Sequence, residues 1–484
     1  MSHPLPVVVD WTTPVITSQT ELTTHLWTAP PLRRGSAMHD KAFAALRDLK
    51  VDHARFLPWW SSPKLSVPEL DPPADGRTSW DFGRLDPFVD DFLDAAQGRP
   101  VVMNFATIPT WMFETPEPVR YADDPAAIHW DYEQGTEFRD PSLTEVADHF
   151  ERIGRWYLGG GFTDQFGVRH ESGRRHRFAY WEVLCEPDIG HRLSPEVYTR
   201  LYDEIVARLR PLDPDMKFIG LSLAMVETNP EYFWHFLDPA NHAAGIPLDA
   251  VSYHFYATPE ILNPVAGEGN QPFDRWRASY FAQADGFLRQ VRLIDSIRRR
   301  LSPGTKTFLN EIGTFNPDVM NPEPAVPDDY WALAAAVVAY LWSELTALGI
   351  DLVGVAEFNG YPGMIPGVSL LDWETGAPNA RYHVLKLLLD NFGVGDVLCE
   401  TTVGGPMSPV TRIHARGIRT AAGQRKVLLI NKFAEPVRIG LAGGGTAAVI
   451  DTRTGPPVTR PVTGEAIELG PFATVVVTLR ETED

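Results

Sequence analysis

The sequence predicts a (β/α)8 TIM barrel followed by a C-terminal β-sandwich. Short runs of strand-forming residues alternate about eight times with longer amphipathic runs between residues 23 and 395, as in a closed barrel. Helical periodicity stops near residue 397, and runs rich in Val and Thr follow with Gly and Pro between them. The glycine clusters at residues 159–161 and 443–445 do not join a strand to a helix in the GxGxxG form, which argues against an open nucleotide-binding sheet.

The barrel strands are predicted from apolar runs rich in β-branched and aromatic residues. Pro58 closes the second run and Pro187 the fourth, because proline cannot donate a hydrogen bond to a strand ladder. The predicted strands cover residues 23–27, 53–57, 100–105, 178–186, 217–221, 248–256, 306–311 and 352–358.

Helices are predicted between the strands, where apolar residues such as Leu46 and Leu49 recur at helical spacing. Asp140 is a predicted N-cap that precedes Pro141, and Ser194 is another residue in the same setting. The predicted helices cover residues 38–49, 80–94, 139–158, 194–210, 276–301, 329–348 and 380–392.

Three domains are predicted on this basis. Residues 1–22 contain short β-like runs and are expected to pack on the β-sandwich, residues 23–395 form the barrel, and residues 396–484 form the sandwich. The strands of the sandwich are predicted at residues 426–431, 447–451 and 474–479.

Composition restricts the partners. The net charge of −20 argues against nucleic acid or an anionic membrane surface. The two cysteines, Cys185 and Cys399, lie far apart, so neither a structural zinc site nor a disulfide framework is indicated, and we expect no metal and no cofactor. Without a signal-peptide pattern or a long apolar run, the chain is expected to be cytoplasmic. Its oligomeric state is not predicted.

Two carboxylates are predicted at the carboxyl ends of barrel strands. Glu186 follows the fourth strand and Glu311 ends the seventh, and this end of a TIM barrel carries the active site. Paired carboxyl groups facing one cavity are typical of glycoside hydrolysis, where one donates a proton and the other attacks the sugar. A pair of structural carboxylates in salt bridges is the alternative.

The motifs around these residues resemble those of clan A glycoside hydrolases. Residues 181–188, Trp-Glu-Val-Leu-Cys-Glu-Pro-Asp, are similar to the Trp-Asn-Glu-Pro signature of the clan, and residues 308–313 are similar to its nucleophile strand. The resemblance covers nearly the whole chain and is greatest to family 39, which contains β-xylosidases and α-L-iduronidases. It implies a retaining mechanism with Glu186 as acid/base and Glu311 as nucleophile, at a spacing of roughly 5–5.5 Å.

Further positions acquire roles from the same resemblance. Arg55 would hold the nucleophile ionised, because a charge-assisted contact lowers the pKa of a carboxylate. His254 and Tyr256 would orient the nucleophile, while a core histidine and a packed tyrosine are the alternative. Asn104, near the end of the third strand, is a further supporting candidate.

The sequence departs from the clan at two places. Cys185 stands where the clan has an asparagine that bonds the sugar 2-hydroxyl, and a thiol is a weak donor and a weak acceptor. The last strand has Glu357 and Asn359 where the clan often has tryptophan, so both are expected to contact the sugar. Cys185 has three explanations: the substrate differs around that carbon, another residue supplies the bond, or activity is reduced. Glu357 and Asn359 favour a glycone that differs from the usual one of the family.

Aromatic residues in the predicted active-site loops are candidates for stacking against a sugar ring. Trp59 and Trp60 follow the second strand and Trp111 follows the third. A long third loop adds four candidates for the rim of the pocket, namely Glu114, His129, Trp130 and Asp131.

The predicted function is a retaining exo-glycosidase that cleaves a terminal sugar, such as a β-xyloside or a related glycoside, from an oligosaccharide or glycoside substrate. The alternative is a non-catalytic carbohydrate-binding protein on a decayed hydrolase barrel, which Cys185 alone suggests. A metal enzyme is a weaker third possibility, because His254 has no histidine partner at ligand spacing.

Overall fold

The computed structural model describes residues 3–129, 135–260, 269–316, 321, 326–360, 366–404, 412–451, 455–463 and 466–480. Its strands are β1 Leu5–Thr17, β2 Glu21–Trp27, β3 His53–Leu57, β4 Val101–Met103, β5 Gly161–Thr163, β6 Arg169–Glu171, β7 Tyr180–Glu182, β8 Lys217–Leu223, β9 Ala250–Ala257, β10 Lys306–Thr314, β11 Leu352–Val355, β12 Val397–Val403, β13 Ile413–Arg419, β14 Arg425–Asn431, β15 Val437–Leu441, β16 Gly445–Ile450, β17 Val458–Val462, β18 Ala466–Leu469 and β19 Thr474–Leu479. Its helices are α1 His39–Leu49, α2 Pro63–Ser66, α3 Asp86–Ala96, α4 Thr144–Gly159, α5 Pro195–Leu209, α6 Glu231–Phe236, α7 Phe273–Trp276, α8 Ser279–Leu301, α9 Asp328–Ala347 and α10 Ala380–Asn391.

Eight parallel strands close into a barrel, which confirms the predicted fold class. Their order around the barrel is β2, β3, β4, β7, β8, β9, β10 and β11, with β11 pairing back to β2. A helix follows each strand, and the apolar faces of these helices pack against the outside of the barrel in one large core. The carboxyl ends of all eight strands therefore meet at one mouth.

Several elements differ from the prediction. α4 begins at Thr144 instead of residue 139, because Leu143 has a left-handed backbone with φ of 64°. The carboxylate of Asp140 accepts the backbone N–H of Glu145 at 3.0 Å, so it caps the first turn from outside the helix. α6 and the small β5–β6 hairpin were not predicted, since each is too short to give a periodic pattern.

The C-terminal part is a nine-stranded sheet that is antiparallel except where β1 runs parallel to β15. Its strand order is β17, β16, β19, β14, β13, β12, β1, β15 and β18, and strands from both ends share one apolar core. Along β14, Val427 and Leu429 enter this core while Leu428 and Ile430 join the core of the barrel, as the alternation of a strand requires. The sheet thus packs on the barrel through one face.

Among the described residues, no helix combines the length and the apolar character that a membrane span requires.

Candidate active site

Glu311 lies inside a barrel strand. β10 continues to Thr314, so the prediction that this strand ends at the carboxylate is wrong. The pairing of β10 with β9 shifts register between Phe308 and Glu311, and irregularities of this kind redirect side chains next to active sites. Glu311 is 5% exposed, and it accepts hydrogen bonds from Arg55 Nη1 at 2.7 Å and from the Tyr256 hydroxyl at 2.6 Å.

The ring of Tyr256 is fixed on two sides. It stacks on Phe315 with ring centroids 4.5 Å apart. Gly313 allows the ring to lie close to β10, because a Cβ atom at that position would come within 3.0 Å of two ring atoms. The hydroxyl therefore reaches Glu311 from a rigid side chain.

Glu186 lies on the loop that follows the fourth barrel strand. β7 ends at Glu182, earlier than predicted, because Leu184 and Glu186 have φ of 62° and 51°. Left-handed residues of this kind break a strand and redirect the chain. The backbone N–H of Glu186 donates to the carbonyl of Ser222 at 2.9 Å, so the end of β8 fixes its position.

His254 contacts both carboxylates through one ring nitrogen. Its Nδ1 lies 2.9 Å from Glu186 Oε1 and 3.5 Å from Glu311 Oε2, and its Nε2 lies 3.0 Å from Ser222 Oγ. The two carboxylate oxygens are therefore no farther apart than the sum of the two Nδ1 distances. That limit applies to the two facing oxygens, and it admits the roughly 5–5.5 Å spacing of a retaining pair.

The two carboxyl groups have pKa values displaced in opposite directions. Burial raises the pKa of Glu186, the charge of Glu311 adds to the rise, and the hydrogen bond from His254 only partly opposes it. Burial alone would also raise the pKa of Glu311, but nearby positive charges, above all His254, and the Tyr256 hydroxyl hold it well below its usual range. The two shifts favour the protonated form of Glu186 and the ionised form of Glu311.

A third glutamate, Glu182, is fully buried and is linked to Glu311 through Arg55. Its carboxylate accepts Arg55 Nε at 2.8 Å, Asn104 Nδ2 at 2.6 Å, Ser252 Oγ at 2.6 Å and the side-chain amide of Asn310. The sequence analysis missed this residue. Its signal is a glutamate inside the apolar run that leads to Glu186, where a charge needs several partners.

His25 is a second residue that the sequence analysis missed. It lies on β2, it is 1% exposed, and its Nε2 is 4.0 Å from Glu311 Oε1. Burial lowers the pKa of His25 to about 3, against the opposing charge of Glu311. The ring is therefore neutral near neutral pH.

Cys185 lies directly beside Glu311. Its Sγ is 3.9 Å from Glu311 Oε1 and 3.9 Å from Arg55 Nη2, and the residue is 6% exposed. Burial, with the charge of Glu311 next, raises the pKa of the thiol well above its ordinary value. The side chain is therefore a protonated thiol at neutral pH in the absence of a ligand.

Glu357 enters the pocket from the end of the last barrel strand. It is 3% exposed, and its Oε2 has no hydrogen-bond partner among the described residues. Burial first, and then the charges of Glu311 and Glu186, raise its pKa well above the usual range. The buried Arg381 donates to the carbonyl of Ala356 and fixes the adjoining backbone. Glu357 is thus a neutral acid at the pocket wall.

One pocket brings most of the predicted residues together. Its described lining consists of Leu57, Trp59, Cys185, Glu186, Tyr256, Glu311, Phe315 and Glu357.

Asn104, Asn359 and Trp111 are not among the residues that line this pocket. Asn104 instead supports Glu182 and also donates to the carbonyl of Leu184 at 3.0 Å. Asn359 is fully buried, and neither polar atom of its side chain has a partner in the part of the chain that the structure describes, so its contact with the sugar stays a prediction.

Trp111 does not form a bare stacking surface as predicted. The guanidinium of Arg139 lies 4.5 Å from the centre of its ring, and its indole N–H donates to the carbonyl of Glu69 at 3.0 Å.

Trp60, Glu114 and His129 are also not among the described residues that line this pocket. Trp60 is buried against Trp59, Glu114 is exposed and His129 is half-buried. Trp130 and Asp131 lie outside the described residues.

The C-terminal sheet matches a known domain family. Residues 411–477 match the family model of the D-apionate lactonase C-terminal immunoglobulin-like domain, which leaves the barrel outside the match. No curated protein matches the sequence.

Solved structures of glycoside hydrolases resemble the whole chain. A GH51 arabinofuranosidase from Xanthomonas axonopodis pv. citri has a TM-score of 0.65 at 12% identity, and the alignment covers 99% of this chain and 100% of that one. A GH39 β-xylosidase from Caulobacter crescentus has a TM-score of 0.60 at 13% identity, with the same coverage. A glucosidase from Croceicoccus marinus has a TM-score of 0.60 at 15% identity, again with 99% and 100% covered. At these identities the resemblance establishes the fold.

Proposed function

We propose that this chain is a retaining exo-glycoside hydrolase of the family 39 type. The observation that carries the proposal is His254 Nδ1, which lies between two carboxyl groups whose pKa values are displaced in opposite directions. A carboxyl group that favours its proton and one that favours ionisation, both facing the same ring nitrogen, are the two groups that a double displacement needs. The whole-chain resemblance to solved glycoside hydrolases is consistent with this proposal.

The reaction would proceed in two steps. Ionised Glu311 attacks the anomeric carbon and forms a glycosyl ester, while the departing oxygen takes the proton of Glu186. Glu186, now ionised, then removes a proton from water, which attacks the same carbon and releases Glu311. Arg55 and Tyr256 hold Glu311 in the attacking orientation through their hydrogen bonds.

The lining of the pocket favours a neutral glycone. The described lining contains three carboxyl groups and neither Lys nor Arg, so a uronic acid would place its carboxylate against other acids without a cation to receive it. Neutral Glu357 can donate a hydrogen bond to a sugar hydroxyl. We therefore place a β-xyloside or a related neutral glycoside above an iduronide as the substrate.

A panel of aryl glycosides tests the activity and the sugar together. We expect turnover of a neutral glycoside by the wild type, loss of turnover in Glu311→Ala, and product that NMR first detects with the configuration of the substrate. Glu171→Ala, which changes an exposed glutamate on the small β5–β6 hairpin, is the control. Product of inverted configuration would contradict the assignment of Glu311 as nucleophile.

Hydrolysis of a sugar lactone is a second candidate, and the match of residues 411–477 to a domain of D-apionate lactonase favours it. The same two carboxyl groups could activate water and protonate the departing oxygen of an ester. Incubation with aldonolactones, followed by titration of the acid released, separates the two activities. If sugars bind and neither substrate class is turned over, the chain is the carbohydrate-binding protein of the alternative hypothesis.

A further inference from the structure

Three side chains of different chemistry converge at the proposed nucleophile. Cys185 Sγ, His254 Nδ1 and a carboxylate oxygen of Glu311 all lie within 4.8 Å of one another, and all three residues are buried. They come from the loop after β7, from β9 and from β10, so the fold of the barrel creates the cluster. Thiolate, imidazole and carboxylate are the ligands that Zn²⁺ takes in proteins.

The spacing is wider than that of a bound tetrahedral ion. Cys185 Sγ is 3.9 Å from Glu311 Oε1, and His254 Nδ1 is 3.5 Å from Glu311 Oε2. With Zn–S near 2.3 Å and Zn–N or Zn–O near 2.0–2.1 Å, ligand atoms of a tetrahedral site lie about 3.3–3.6 Å apart. The three ligand atoms lie within 4.8 Å of one another, so their side chains would draw together as an ion binds.

A fourth ligand and a path for entry are also present. Glu186 Oε1 is 2.9 Å from His254 Nδ1, so its carboxyl group lies beside the cluster. Cys185, Glu186 and Glu311 all line the pocket, so an ion can approach from its mouth.

The local charge permits a cation despite a nearby guanidinium. Arg55 lies 3.9 Å from the thiol, but its Nε and Nη1 hydrogen-bond to Glu182 and Glu311. Those two carboxylates offset its charge, and Glu186 provides a further carboxyl group.

We propose that Cys185, His254 and Glu311, with Glu186 as the fourth ligand, form an inhibitory site for a divalent cation of the Zn²⁺ class. The thiol proton and any proton on Nδ1 or Glu186 leave to solvent as the ion binds. The bound ion occupies the nucleophile and the proton donor together, so the proposed hydrolysis stops until a chelator removes it. The inhibition rests on the proposed function, whereas the binding does not.

Cobalt tests the binding without any substrate. We expect one equivalent of Co²⁺ to give the wild-type chain a near-ultraviolet thiolate-to-cobalt charge-transfer band. Cys185→Ser and Cys185→Asn should lack the band, and Cys399→Ser, which changes the buried cysteine of the C-terminal sheet, should retain it. A band that persists in both Cys185 variants, or no band in the wild type, would overturn the proposal.

Inhibition provides the second measurement. Zn²⁺ should inhibit turnover of the best glycoside, EDTA should restore it, and Mg²⁺, which prefers oxygen ligands, should have no effect. The inhibition constant should rise at least 10-fold in Cys185→Ser, as measured relative to that variant's own uninhibited rate. Equal zinc inhibition of wild type and variant would overturn the proposal. A cobalt band in a chain that hydrolyses no glycoside would support the site and count against the proposed function alone.

Discussion

At the scale of the residue, His254 sets the ionisation of both carboxyl groups. It lowers the pKa of Glu311 and opposes the rise in the pKa of Glu186, because its Nδ1 faces both side chains. In the proposed mechanism, the active form of the protein has Glu311 ionised and Glu186 protonated. Activity should therefore fall at low pH, as Glu311 takes up a proton, and at high pH, as Glu186 loses one.

Replacement of His254 should move both limbs of this pH profile in the same direction. Without the imidazole, the pKa of each carboxyl group rises, so His254→Asn is expected to shift both limbs of kcat/KM to higher pH. The profile is measured with an aryl glycoside. His39→Asn, which removes a ring bonded to Asp91, is the control and should leave both limbs in place. Limbs that stay fixed, or that move apart, would contradict the role given to His254.

The role of Glu186 as proton donor predicts a dependence on the leaving group. In Glu186→Ala the turnover of a substrate with a poor leaving group should fall by about 10²–10⁴-fold. A dinitrophenyl glycoside needs no protonation, so its first step should persist, and azide should attack the glycosyl ester and give a product of retained configuration. Loss of both substrates to the same extent, with no azide product, would place the acid elsewhere.

At the scale of the element, Glu182 joins strands that are distant in the sequence. Arg55 lies on β3, Ser252 on β9 and Asn310 on β10, and each donates to its carboxylate. Asn104 adds a donor from the loop after β4. The buried carboxylate of Glu182 accepts hydrogen bonds from four donors. It thereby holds these strands in register and positions Arg55 toward Glu311.

Removal of this carboxylate should destabilise the barrel. Glu182→Ala leaves the guanidinium of Arg55 with one of its two carboxylate partners and removes the acceptor that Asn104, Ser252 and Asn310 share. We expect the free energy of unfolding to fall by about 3–5 kcal/mol, as measured by urea denaturation. Glu171→Ala, an exposed glutamate on β6, should change it by less than about 0.5 kcal/mol. Equal stabilities for the two variants would show that the network contributes little.

The elements of the barrel were predictable from sequence because each strand is an apolar run between turn-forming residues. Glu186 and Glu311 were predictable because short motifs surround them. The role of Glu182 was not, since its donors lie 70 to 128 positions away in the chain. The surroundings of Trp111 were not predictable either, because its proximity to a strand end says nothing about Arg139 lying over its ring. The local sequence pattern therefore predicts where a strand or helix lies, whereas the partners of its side chains depend on residues that are distant in the sequence.

At the scale of the whole molecule, the first strand of the chain completes a sheet made otherwise from its last part. β1 lies between β12 and β15, pairing with β12 from Val7 to Thr17 and with β15 from Leu5 to Val7. In this strand order, β15 and β18 reach the rest of the sheet only through β1, among the residues that the structure describes. The N-terminal segment and the C-terminal sheet therefore form one folding unit.

Truncation of residues 1–17 should consequently unfold the C-terminal sheet. We expect the truncated chain to lose β15 and β18 from the sheet and to be cleaved rapidly by protease between residues 432 and 470, where the full chain resists. A cleavage pattern equal to that of the full chain would contradict this dependence.

The neighbouring residues Val7 and Val8 test the same dependence without removing any backbone. Val7 is 5% exposed and belongs to the core of the sheet, whereas Val8 is 61% exposed on the opposite face of β1. Val7→Ala should lower the free energy of unfolding by about 1–3 kcal/mol through lost burial and a residual cavity, and Val8→Ala by less than about 0.5 kcal/mol. Because the sheet also packs on the barrel through Leu428 and Ile430, the Val7 variant should lower the thermal midpoint of the whole chain. Two separate transitions, with only the first one shifted, would instead mean that sheet and barrel unfold independently.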